Sequence, residues 1–150
     1  MVRTSALARA CAVVLSASSA ARGDSDAATT GATLTCERVV GPGRVRCEVE
    51  ARVEPGVSIT WGDVVLLRVP PFAAALRGRI GPSDTSARAE DRWRWAFAVV
   101  ARASGSGDVD ARVRLVVCRD GARDAERNAE RNKVCSPRQI AVTGRLVVGE

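Results

Sequence analysis

Four cysteines hold the chemistry that this 150-residue sequence offers: Cys36, Cys47, Cys118 and Cys135. The fifth, Cys11, falls inside a leader-like segment. An even number of cysteines in the remaining chain reads as a disulfide framework, and four allow three pairings. In the local set, Cys36 pairs with Cys47 across Gly41-Pro42-Gly43, and Cys118 pairs with Cys135. Cross-linking either short loop is worth roughly 3 kcal/mol on the chain-entropy estimate. A reactive thiol needs nearby positive charge and some exposure. Arg119, Arg123, Lys133 and Arg138 flank the Cys118/Cys135 pair, which makes it the candidate redox site. The plainer reading is a structural staple, because charged neighbours are also what an exposed loop carries.

Other reactive groupings are absent or weak. With no histidine, neither Ser-His-Asp nor Cys-His catalysis nor a His-containing metal site is available. Asp63, Asp84, Glu90, Asp91, Asp108 and Asp110 form no metal loop: Asp108-Val109-Asp110 lacks the later acidic ligands and the glycine of a calcium site. These carboxylates read as solvated turn residues, and no cofactor or metal is expected. Trp93, Trp95 and Phe97 recur at period 2, which reads as core packing, with a ligand platform as the alternative.

The elements that must position these residues are strands. Between Arg44 and Val53, the residues Val45, Cys47, Val49, Ala51 and Val53 alternate with Arg44, Arg46, Glu48, Glu50 and Arg52. Thr33–Val39 is the expected hairpin partner across Gly41-Pro42-Gly43, and Glu54-Pro55-Gly56 ends the strand. Val57–Val69 reads as two short strands or one bent strand, interrupted by Trp61-Gly62-Asp63 and stopped by Pro70-Pro71. Phe72–Leu76 has room for a single helical turn. Asp91–Ala103 alternates again, Ser104–Asp108 reads as a hairpin loop returning into Val109–Cys118, and Gln139–Val148 is the last strand. Between the last two lies a polar stretch in which Ala125-Glu126-Arg127-Asn128 repeats at once as Ala129-Glu130-Arg131-Asn132, an expanded surface loop.

Six to eight short strands with turns every 8 to 12 residues predict an all-β, immunoglobulin-like antiparallel β-sandwich with two disulfides. That fold class brings a rival pairing, in which Cys47 joins Cys118 across the sheets with Trp61 packed on the bridge, leaving Cys36 to Cys135. Val116 stands where such domains carry a tyrosine. The order from Asp91 to Val148, with Val116-Val117-Cys118, a polar loop and Cys135-Ser136-Pro137, resembles the periplasmic N-terminal domain of the DsbD-type thiol:disulfide interchange protein. The resemblance covers a little over the last third of the chain. It implies an immunoglobulin-like domain relaying electrons between a membrane partner and periplasmic thiol-disulfide proteins, with Cys135 attacking and Cys118 resolving. The chain differs from that family in its duplicated loop and in Ser136, where an aromatic is usual.

The start of the chain resembles a signal peptide over residues 1–21: Arg3 and Arg9, the apolar run Ala10–Leu15, then Ser16–Ala21, all small. A flexible lead-in over 22–32 and a single domain over 33–150 would follow. The apolar run is far short of the roughly 20 residues that span a bilayer, so no membrane span is expected after leader removal. Loss of Arg3 and Arg9 takes the net charge from +6 to +4. The arginines alternate with apolar residues, as in Arg44, Arg46 and Arg52 or Arg112 and Arg114. That pattern reads as a solvated sheet face, so no nucleic-acid partner is expected. Two functions remain in view, both secreted or periplasmic. One is an accessory or binding module with structural disulfides and a protein partner. The other is a thiol-disulfide exchange module working through Cys118 and Cys135.

Overall fold

In a computed structural model of the chain, residues 29–121 and 133–149 are described. The leader (1–21), most of the lead-in (22–28) and the duplicated insert (125–132) lie outside the described residues. Nine strands occur among the described residues: β1 (Gly31–Cys36), β2 (Gly43–Arg52), β3 (Val57–Arg68), β4 (Ala73–Ala75), β5 (Arg79–Ile80), β6 (Thr85–Arg88), β7 (Arg92–Ala101), β8 (Gly105–Asp120) and β9 (Lys133–Val148). A 3-10 turn at Pro82–Asp84 is the one helical element among the described residues. β1 begins at Gly31, two residues inside the expected lead-in.

All pairings between the named strands are antiparallel, and they form two sheets. One runs β1-β2-β7 with β4 and β6 both on the far edge of β7, and the other runs β5-β3-β8-β9. The fold is therefore an all-β, immunoglobulin-like sandwich, curled on one side. Alternation decides which side chains fill it. In β2, Val45, Cys47, Val49 and Ala51 are buried, and in β8 the odd-numbered residues Val109 to Val117 are buried. Trp95 of β7 is fully enclosed and lies against Gly62 of β3, where an added Cβ would sit 3.0 Å from the indole. The aromatic stripe is thus core packing: Trp93 and Trp95 are buried, and their ring centroids are 5.9 Å apart.

Two expected connections differ. Ser104–Asp108 is not a hairpin loop, because β7 and β8 belong to different sheets and Gly105–Asp108 is already strand. Both edges of β7 are occupied, by β2 over ten residues and by β4 and β6 on the other side, so β8 finds its partners in β3 and β9. Phe72–Leu76 makes no helical turn. Ala73–Ala75 adds to β7 opposite Ala101–Val99, since three alanines cannot nucleate a helix and the sheet edge offers them hydrogen bonds. Val57–Arg68 is one bent strand, with register shifts at Ile59/Trp61 and Leu66/Arg68.

Local turn chemistry agrees with the sequence at Glu54-Pro55-Gly56-Val57. Pro55 sets the first turn residue, Gly56 takes φ +78°, and the Val57 amide donates to the Glu54 carbonyl at 3.2 Å, a type II turn. On the curled side, the end of β9 meets the β1–β2 connection through a parallel bridge, Val39 to Val148. There the Gly149 amide donates to the Val39 carbonyl at 2.8 Å. β1 approaches β9 so closely that a Cβ on Gly144 would overlap the Leu34 side chain and lie 2.7 Å from its carbonyl oxygen. The remaining edge of β9 carries Pro137. Val116↔Pro137 lies two residues along from the closely spaced pair Cys118↔Cys135, so it is a non-hydrogen-bonded pair and the proline nitrogen faces the free edge.

Gly144→Ala should destabilise the domain by about 2 kcal/mol, because backbone cannot move aside as a side-chain end can. Urea unfolding should show a lowered midpoint at unchanged slope, and an unchanged midpoint would place β1 further from β9 than described.

Candidate functional site

Both bridges of the local pairing are formed, Cys36–Cys47 and Cys118–Cys135, each with Cα atoms 4.0 Å apart. Both join residues directly opposite in a ladder, which brings Cβ atoms within bridging reach. Face parity separates them. Cys47 follows the inward alternation of β2, is buried, and packs with the half-buried Cys36 in the core. Cys118 is even-numbered in β8, whose odd residues point inward, so its sulfur lies on the outward side of the sheet. The rival Cys47–Cys118 bridge fails for that reason. Trp61, its expected cover, sits opposite Val116 on the same outward side and is half-buried.

Although it faces outward, Cys118 is covered, whereas Cys135 on the edge strand β9 is exposed. The β3 bulge places Thr60 beside the bridge. The Thr60 hydroxyl donates to the Val116 carbonyl at 3.1 Å and lies 3.5 Å from the Cys118 Sγ, while the Ser58 hydroxyl donates to the Cys118 carbonyl at 3.3 Å. Cys118 also borders a cleft of about 320 Å³, lined in addition by the turn and strand residues Pro55–Ser58 and by Glu90, Asp91 and Asp120. The flanking cation Arg119 is drawn off to Glu54. Glu90, Asp91 and Asp120 make three of the cleft's lining residues acidic. Arg123 lies outside the described residues, and Lys133 and Arg138 are exposed on β9.

The remaining carboxylates are mostly surface partners, as expected. Asp84 accepts from the Gly81 amide and pairs with Arg77, Asp108 pairs with Arg145, and Asp110 pairs with Arg68. Asp63 is the exception and corrects the reading of these residues as solvated turns. It lies mid-strand in β3 with no exposed surface. Arg114 of β8 forks onto it through Nε at 2.8 Å and through Nη2, and Arg79 of β5 donates through Nε at 2.6 Å. Arg114 is therefore not simply a solvated face residue. Its hydrogen bonds, joined by those of Arg79, outweigh burial and hold the Asp63 carboxyl below the usual range, and the Arg114 guanidinium is raised in turn. On the other sheet Glu50 is also lowered: burial alone would raise it, and hydrogen bonds from Arg52 and Arg94 prevail. The sequence signal for Asp63 was an acidic residue directly ahead of the apolar run Val64–Leu67. Its partners, 16 and 51 residues away, carried none. No group of three or more metal-ligating side chains occurs among the described residues.

Both shifts are downward. The stability they confer is present above the unfolded carboxylate pKa of about 4 and is lost as pH falls through the folded values. Urea midpoints should therefore be flat near neutrality and fall below about pH 4. Asp63→Asn should cost about 2 kcal/mol at pH 7 and make that acid slope shallower, leaving the Glu50 part. A slope unchanged by Asp63→Asn would remove Asp63 as its source. Compared with known proteins, the chain matches no family model, no curated protein and no solved structure.

Proposed function

We propose that the chain is an exported, non-catalytic immunoglobulin-like module, an accessory or binding domain in which both disulfides are structural. The leader-like pattern over residues 1–21 and two disulfides formed from four cysteines support export to an oxidising compartment, secreted or periplasmic. None of the described residues forms a helix long and apolar enough to cross a membrane. The observation that carries the structural reading is the setting of Cys118. Cys118 is covered, borders a cleft whose lining includes Glu90, Asp91 and Asp120, and has its neighbouring cation Arg119 ion-paired with Glu54. An oxidising, exchange-active bridge instead stabilises the thiolate of its reduced form. Cys118 and Cys135 are also one rung of a sixteen-residue ladder between β8 and β9, which holds the strands together around the bridge.

One observation favours the second reading, a thiol-disulfide exchange module resembling the DsbD N-terminal domain. Cys135 is exposed while Cys118 is covered, so an incoming thiolate would reach Cys135 first. Equilibration with glutathione separates the two readings. A structural bridge has a potential below about −300 mV and stays oxidised, and Cys118→Ala then captures no thiol-disulfide protein through Cys135. A potential near −200 mV with mixed disulfides at Cys135 would establish exchange instead.

A further inference from the structure

The outward face of the β5-β3-β8-β9 sheet can be read row by row from its register. Val65 of β3 lies opposite Arg79 on one side and Arg112 on the other, and Arg112 lies opposite Ala141. The next row is Asp63, Arg114 and Gln139, and the one beyond is Trp61, Val116 and Pro137. Directly opposed residues share a face, as do residues two apart along a strand. One patch therefore gathers three guanidiniums around one carboxylate, bordered by an apolar row. Further along, Asp110 is matched by Arg68 and Asp108 by Arg145, so the excess positive charge is concentrated on the Arg79–Arg112–Arg114 rows.

We propose that this face, centred on Arg79, Arg112 and Arg114 beside Trp61, docks a protein partner that presents a carboxylate-rich segment. The proposal rests on the reading of the chain as a binding module. Asp63 is enclosed while its two partners are not: the Arg79 and Arg114 side chains keep 59% and 37% of their exposure. The carboxylate thus works as a buried peg that fixes two guanidiniums at the surface. A guanidinium has five N–H donors. Asp63 takes two from Arg114 and one from Arg79, leaving three and four for a ligand. Arg112 is exposed and has no ion pair among the described residues. Arg79 and Arg112 stand two strands apart, about 10 Å, a span that two carboxylates on one partner strand or loop can cover.

Charge alone would suit any polyanion. The row Trp61, Val116 and Pro137 decides for protein, because a sulfated glycan or a phosphate backbone has no apolar side chains to cover it. Arginine and tryptophan together are also what the energetic centres of protein interfaces use. The Arg114 guanidinium already lies 6.0 Å from the Trp61 ring centroid, so a partner would meet both at once. On the opposite sheet, arginines such as Arg46, Arg52 and Arg94 interleave with Glu48 and Glu50, with no aromatic among the outward residues of β2 and β7.

The test is a titration of the oxidised full chain with a synthetic peptide of glutamates with leucine at every third position. Tryptophan fluorescence reports binding through Trp61, since Trp93 and Trp95 are buried. The expected result is saturable binding that weakens at least tenfold in Arg112→Glu and less than twofold in Arg44→Glu, a matched charge reversal on the other sheet. The glutamine counterpart of the peptide should not bind. If Arg112→Glu fails to fold, Arg112→Gln reads the same contact with at least a threefold loss. Absence of binding, equal losses in both reversals, or tighter Arg112-dependent binding of a heparin octasaccharide would overturn the proposal. The glutathione equilibrium of Cys118–Cys135 is read separately in the wild-type chain, so failure here and failure of the structural-disulfide reading remain distinct.

Discussion

Face parity is the constraint on which the molecule depends. Every long strand sends alternate residues into the space between the sheets, and a residue's number in its strand fixes which chemistry it can join. In β2 this buries Cys47 among valines. In β8 it buries Val113, Leu115 and Val117 and sends Arg112, Arg114 and Cys118 to the other side. The core, the disulfide connectivity and the arginine patch are therefore three results of one alternation. A single-residue slip of β8 would reverse its own share of the core, the placement of Cys118 and the arginine patch together.

The same constraint explains why two bridges of equal geometry differ in character. Cys36–Cys47 lies on the inward side, where the packing of the core surrounds it. Cys118–Cys135 lies on the outward side, between the cleft that Cys118 borders and the exposed edge of β9. Asp63 is the counterpart among charges, an outward residue that has nevertheless lost its water. An isolated carboxylate there would be costly. Three hydrogen bonds from two guanidiniums compensate for its desolvation, and they tie the two-residue strand β5 to β3 and β8.

Much of this was legible in the sequence. The alternation in Arg44–Val53 and Asp91–Ala103 located β2 and β7, and the short spacing around Gly41-Pro42-Gly43 favoured the Cys36–Cys47 bridge. What the sequence concealed was partnership. A Ser/Gly stretch looks alike whether the chain returns beside the strand it has just left or crosses to the other sheet, and Ser104–Asp108 does the latter. Ala73–Ala75 has no strand propensity of its own and is strand only because the edge of β7 stands open beside it. Asp63 looked like part of an interruption at Trp61-Gly62-Asp63. Its role depends on Arg79 and Arg114, which the fold alone brings to it.

The position of the Cys118–Cys135 bridge bears on how the chain tolerates change. The connection between β8 and β9 is closed by a covalent bond at its base, in the folded protein and equally in the oxidised unfolded chain. Adding residues to that connection enlarges a ring that exists in both states, so the entropy of closing it largely cancels from the folding equilibrium. A tandem unit such as Ala125–Asn128 and Ala129–Asn132 can therefore be gained or lost at nearly constant stability. The bridge makes this one segment free to vary in length while the alternating strands beneath it remain bound to their register.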